Sequence, residues 1–220
     1  MASIARFAAA LGACWLALSA FPVAASELEA LEADVLAQIN YARANPRDYA
    51  DRLREYRANM EGNILYLPGH ENGVITREGI GAVDEAIDFM ERQVPLPPLS
   101  PGQILALAAR DHADAQGMDG GVGHVSHDGA SPGQRVKRRG GDIYVGENIS
   151  YGFDAANDVV MSLIVDDGVP RRGHRKSLFA NEYRYAGVGC GTHPQYRVMC
   201  VVDMSGTATG EPVIPQMANR

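Results

Sequence analysis

Residues 123–129 read GHVSHDG, 146–152 GENISYG, 163–168 LIVDDG and 171–179 RRGHRKSLF. Between His124 and His174 the chain sets polar groups beside glycine-rich turns: His124 or His127, Glu147, Asp166 or Asp167, and His174. Two imidazoles and two carboxylates near neutral pH can bind a metal, move a proton or hold each other by hydrogen bonds. The sequence poses that choice and also places the segments around it.

The segment before this stretch is helical in pattern. Ile104, Leu105, Ala108, Ala109, His112 and Ala115 form one stripe, with Ser100-Pro101 expected as cap and first turn. Ser131-Pro132 predicts a short helix, residues 140–153 a turn or strand edge, and residues 155–165 another helix with Val159, Val160, Leu163 and Ile164 inward. After it, YAGVGC and YRVMCVVDM read as two strands joined by residues 191–195. Further upstream, Leu28, Leu31, Val35, Ile39 and Ala42 mark a first helix opened by a Ser26/Glu29 capping box. A second helix follows Asn45-Pro46, a small hairpin or ordered loop lies in 57–78, and a third helix carries Val83, Ile87 and Met90 to the prolines at 95, 97 and 98. Helices flanking a few strands that are neighbours in sequence predict an α+β domain with helices packed on an antiparallel sheet.

The 220 residues suffice for one sizeable domain, and a formal charge of -7 argues against nucleic acid as a partner. Residues 1–25 read as a secretory signal: Arg6, an apolar run from Phe7 to Phe21, and small residues before a cleavage point after Ala25. Leu11-Gly12-Ala13-Cys14 faintly resembles a lipobox, but the apolar run continues past Cys14, so cleavage at Ala25 is preferred to a lipoprotein. No later segment is long and apolar enough to span a membrane, and the expected location is the periplasm or the medium. Removal of residues 1–25 leaves Cys190 and Cys200, expected as a disulfide near the base of the last hairpin, with two free buried thiols as the alternative.

The succession LALAARDHADAQ, GHVSHDGASPGQRV, VGENISYG, LIVDDG, GHRKSLF and YAGVGCG resembles the bacterial branch of the CAP superfamily: cysteine-rich secretory proteins, antigen 5 and pathogenesis-related 1 proteins. The likeness runs over roughly residues 27–206. Residues 57–95 match poorly and read as an insertion, and 207–220 as a flexible tail. The resemblance implies an α-β-α sandwich with a small central antiparallel sheet and a cavity lined by two His and two acids. By position these are His124 (eight residues before Pro132, with His127 as substitute), Glu147 of GEN, Asp166 at the LIVD position, and His174 of GHR. Relatives often carry Glu, preceded by Trp, where this chain has Asp166 and Leu163.

Two imidazoles with carboxylates suit zinc or another divalent cation, and leave room for a water. The same four groups can instead form a buried hydrogen-bonded network that orders the loops. We therefore expect an exported, divalent-metal-dependent binding module at the envelope or outside the cell. The alternatives are a metal-assisted hydrolase of peptide, glycan or lipid ester, with Glu147, His174 and His124 as catalytic candidates, and a lipid- or sterol-binding protein. A serine nucleophile is a weaker reading: neither Ser126 nor Ser131 stands in a G-x-S-x-G elbow. Arg171, Arg172, Arg175 and Lys176 flank His174, either as a solvated basic loop or to attract an anionic envelope polymer or lipid headgroup.

Overall fold

The computed structural model describes residues 21–67 and 70–213, with side chains for 27–67 and 72–213. The body of the expected leader, with Cys14, lies outside the described residues, as do 214–220. The elements are α1 (Phe21–Ala44), α2 (Pro46–Ala58), β1 (Met60–Glu61), β2 (Ile64–Leu67), β3 (His70–Ile75), α3 (Ile80–Arg92), β4 (Ser100–Pro101) and α4 (Gln103–Asp119). There follow α5 (Pro132–Arg138), β5 (Gly146–Tyr151), α6 (Ala156–Val165), a 3-10 turn (Pro170–Arg172), α7 (Gly173–Leu178), β6 (Tyr185–His193) and β7 (Arg197–Ser205).

The architecture is α+β, and the strand alternation of β6 sets its layers. In YAGVGCG every second residue is glycine, and a Cβ on Gly187 or Gly189 would collide with the backbone of α4 at Ala106 or Arg110. The helix therefore lies directly on that face, where Ala109 and Ala113 meet Ile149, Met199 and Val201. The intervening Ala186, Val188 and Cys190 point to the opposite face, with Cys200, Val202 and Met204, into the main core formed with α1, α2, α3 and α6. Helices thus cover both faces of a four-stranded sheet ordered β4-β6-β7-β5. Three strands are antiparallel, but the two-residue β4 runs parallel to β6.

Several expectations shift. Ser100-Pro101 is not a helix cap: the N–H groups of Ser100 and Gly102 donate to Arg184 and Ala186 carbonyls (both 2.8 Å), so this stretch extends the sheet and α4 starts at Gln103. Ser26 lies inside α1, which begins at Phe21, and not at its start. Cys190 and Cys200 are bonded, but as directly opposed partners in mid-ladder rather than at the hairpin base. The tail is held as far as Gly210: the Thr209 and Gly210 carbonyls accept from Asp142 (2.8 Å) and Tyr144 (2.9 Å), backbone bonds that no side-chain pattern announces. Residues 60–75 form their own three-stranded antiparallel sheet. Ser131 does make the expected cap, as a full capping box with Gln134.

Candidate functional site

His124 lies in the loop between α4 and α5, and that loop is pinned from below. The Gly123 N–H donates to the Tyr151 hydroxyl (2.9 Å), and the Gly123 carbonyl accepts from the His112 and Gln116 side chains (2.8 and 2.7 Å). His124 Nδ1 lies 2.8 Å from Glu147 Oε1. A carboxylate only accepts, so Nδ1 carries the proton and Nε2 keeps a lone pair when the ring is neutral. The other oxygen of Glu147 is paired with Arg135. That guanidinium is buried and also donates to the His124 carbonyl (3.0 Å), Ser126 Oγ (3.1 Å) and the Ala130 carbonyl (3.0 Å).

Behind this pair lies a third ionisable group. Asp203 faces Glu147 across the β5–β7 ladder, fully buried, and neither of its oxygens has a partner as an acceptor. Burial first, and then the negative charge of Glu147, hold its carboxyl well above the usual range. Asp203 and Glu147 thus face each other as a closely spaced acid pair in which burial favours the neutral form of Asp203.

His174 is held differently. Asp166 ends α6 in the left-handed region (φ 58). From there Oδ1 meets His174 Nδ1 (2.7 Å), and Oδ2 accepts the backbone N–H groups of His174 (2.9 Å) and Arg175 (3.3 Å). Asn148, next to Glu147, donates to the His174 carbonyl (3.1 Å) and ties the two halves together. Arg175 is buried and donates to the Ile164 (2.6 Å) and Val165 (3.0 Å) carbonyls at the end of α6. Arg172 pairs with Glu78 and Glu85. The bond from Arg172, then that from the Gly168 N–H, lowers the Glu78 carboxyl to about 2. Of the four basic residues around His174, these two are therefore structural. Asp167 is no ligand partner either: its oxygens accept the Arg77 (2.6 Å) and Glu78 (2.8 Å) N–H groups.

The two imidazoles converge. Their centroids are 6.4 Å apart, and both rings line an open groove of about 460 Å³ with Asp166. Tyr151, Phe153 and Tyr196 line it too, as does Arg77. Glu147 is buried behind His124. His127 lines a separate cavity with Met118, Asp128 and Arg138.

Among the described residues, no three His, Cys, Asp or Glu side chains gather as a ready-made metal site. Both carboxylates are engaged with Nδ1 atoms, and Glu147 with Arg135 as well. The donors that remain are the two Nε2 atoms. Their ring centroids, 6.4 Å apart, stand wider than the roughly 5–6 Å of two imidazoles sharing one ion with metal–nitrogen bonds of about 2 Å. The two imidazoles, each with a carboxylate behind it, are the groups here that could hold a divalent ion.

The serines have other duties. Ser131 caps α5. Ser126 is buried 2.9 Å from His112 Nδ1, and burial first, then the Arg135 charge, lowers the pKa of that ring. No motif in the sequence marks Arg135, Asp203, Arg77 or Tyr196 as site residues. A lone acid in the apolar run Val201-Val202-Asp203-Met204 was the available signal for Asp203; Arg77 and Tyr196 carry none.

With this geometry in place, comparisons with other proteins are informative. The model of the family described as the cysteine-rich secretory protein family matches residues 36–204. An extracellular protein containing an SCP domain from Bacillus anthracis is similar in structure at 21% identity and a TM-score of 0.42, over 55% of this chain and 37% of that one. The chain therefore spans little more than a third of that protein's length. An outer surface protein from Borrelia burgdorferi aligns at 18% identity and a TM-score of 0.41, over 57% of this chain and 88% of that one. No curated protein matches the sequence.

Proposed function

The chain belongs to the CAP family of cysteine-rich secretory proteins, and on that premise we propose that it is an exported binding module. Its ligand groove is the one between His124 and His174. The observation that carries this reading is the shared wiring of the two rings: each gives Nδ1 to a buried carboxylate, leaving two Nε2 atoms at one groove. An acceptor behind each imidazole fixes its tautomer and raises the basicity of the free nitrogen, the usual arrangement behind a metal-bound histidine. A zinc ion or other divalent cation held by His124 and His174 would supply a Lewis-acid contact to a ligand oxygen. Glu147 and Asp166 would orient the rings rather than ligate.

Export is supported by the Cys190–Cys200 bridge, which persists in oxidising compartments. No helix among the described residues is long and apolar enough to cross a membrane. A hydrolytic reading with Glu147 as general base is disfavoured, because both of its oxygens are already engaged.

Equilibrium dialysis against zinc tests the proposal. Wild type should take up one equivalent, and His174→Ala and His124→Ala should lose it. Glu147→Gln should weaken uptake about 10- to 100-fold by loosening the ring behind the ion. Equal uptake by wild type and both histidine variants would remove the metal from the reading.

A further inference from the structure

Arg77 enters the groove from the segment that resembles the family least. It follows the small sheet β1–β3, and its backbone N–H is clamped by Asp167. Its aliphatic stem lies over Gly168 so closely that a Cβ there would collide with it. Gly168 adopts φ 73, so the position excludes a side chain on two grounds. The stem is thus held in place, while the guanidinium has no ion-pair partner among the described residues. The other arginines near His174 that are buried or half-buried, Arg172 and Arg175, are both matched to Glu85.

Another part of the groove wall is aromatic. Tyr196 packs on Tyr151 and His193, each at 5.1 Å between ring centroids, and remains partly exposed to the groove. The imidazoles, Ser150 and Ser162 line the same groove. A long acyl chain laid here would leave the free Nε2 atoms of the two imidazoles without partners. A ligand with one apolar ring face and many hydroxyls would satisfy both walls. In a chain of net charge -7, an unpaired guanidinium at the rim is the local feature that would admit an anion.

We propose that Arg77 is a specificity-determining residue and that the groove takes an acidic sugar: ring face on Tyr196, carboxylate on Arg77, hydroxyls toward the imidazoles. This rests on the groove being the ligand site, but not on a metal being bound there. Arginine suits the carboxylate because its planar fork can meet both oxygens.

The test is calorimetric titration with a short galacturonic acid oligomer and its methyl ester, which has the same rings without the charge. Wild type should prefer the acid by about tenfold or more, and Arg77→Gln should erase that preference with an unchanged melting temperature. Arg77→Lys should recover only part of it. Tyr196→Ala should weaken acid and ester alike. Equal binding of acid and ester by wild type, no effect of Arg77→Gln, or no binding of either oligomer would overturn the proposal. So would inorganic phosphate displacing the acid as well as free galacturonate does, since the site would then read charge alone. Loss of zinc uptake as a property of wild type, with the acid preference intact, would sink the metal reading and leave this one standing.

Discussion

The two halves of the groove reach one arrangement by opposite means. His124 is oriented by Glu147 on a regular strand, and the difficulty there is electrostatic: two acids and a guanidinium buried together. His174 is oriented by Asp166 at a helix end, and the difficulty there is conformational: Asp166, Arg171 and Arg172 all have positive φ within seven residues. One half compensates buried charge with an ion pair. The other offsets backbone strain with hydrogen bonds to main-chain N–H groups at the start of α7. An Nδ1–carboxylate pair is therefore not a fixed module, and the same substitution in each half should have different consequences.

The largest effect is expected in the electrostatic half. Arg135→Met removes the cation that compensates Glu147 and leaves a buried anion beside Asp203. Breaking a buried pair in this way costs about 3–5 kcal/mol. Urea unfolding at pH 7 should show the loss at unchanged slope. A loss below about 1 kcal/mol would mean that the Arg135–Glu147 pair does not hold this half together, and the contrast between the halves would collapse.

Asp166→Asn probes the other half. The amide keeps the size and can still accept one bond, but it lacks the charge that gathers the His174 ring and two backbone N–H groups. Hydrogen bonds to a charged group contribute about 1.5–3 kcal/mol, which sets the expected loss. Nitrogen-15 chemical shifts of His174 should move from a single Nδ1–H tautomer to a mixture. An unchanged tautomer would show that the ring is fixed by packing and not by Asp166.

Asp203→Asn sharpens the comparison through pH. The folded carboxyl of Asp203 is raised above its unfolded value by burial and by Glu147. Its contribution is therefore fully present below the unfolded value, about 3.9, and is lost as pH rises toward the folded one. Asparagine cannot ionise, so the variant should match wild type near pH 4 and melt higher at pH 8, by a few degrees for each kcal/mol recovered. Parallel melting curves from pH 4 to 8 would place the proton elsewhere.

The sequence showed these halves unequally. Glu147, His124 and His174 were legible because glycine-flanked motifs mark them, and their convergence from positions fifty residues apart followed from the family likeness. The glycine alternation of β6 was visible as a strand, but its role in seating α4 depends on a backbone contact that no single residue announces. Whether the carboxylates complete the site or only orient the rings is not legible there, since a list of residue types does not say which oxygen is already bonded. Arg135 and Asp203 escaped notice because their importance lies in sharing one buried volume across α5, β5 and β7. Arg77 escaped because the chain between 57 and 95 follows no pattern that ties it to the groove.

The smallest effect belongs to the strained half, and its sign is the informative part. Arg171 has φ 65 and ψ 7, and its side chain is exposed, with no bond among the described residues. A left-handed non-glycine residue costs roughly 1–2 kcal/mol. Glycine gives back part of that through the flexibility it adds to the unfolded chain. Arg171→Gly should therefore stabilise by about 0.5–1 kcal/mol. Arg172 shares the left-handed conformation (φ 54), but its guanidinium holds Glu78, Glu85 and the Asp166 carbonyl (2.9 Å). Arg172→Gly relieves the same strain and should still destabilise, because those bonds go with it. Opposite signs at two adjacent residues of equal backbone geometry would assign the strain to the main chain and its compensation to the side chain. If both variants destabilise, the turn beside His174 is not strained, and the two halves differ only in where they bury charge.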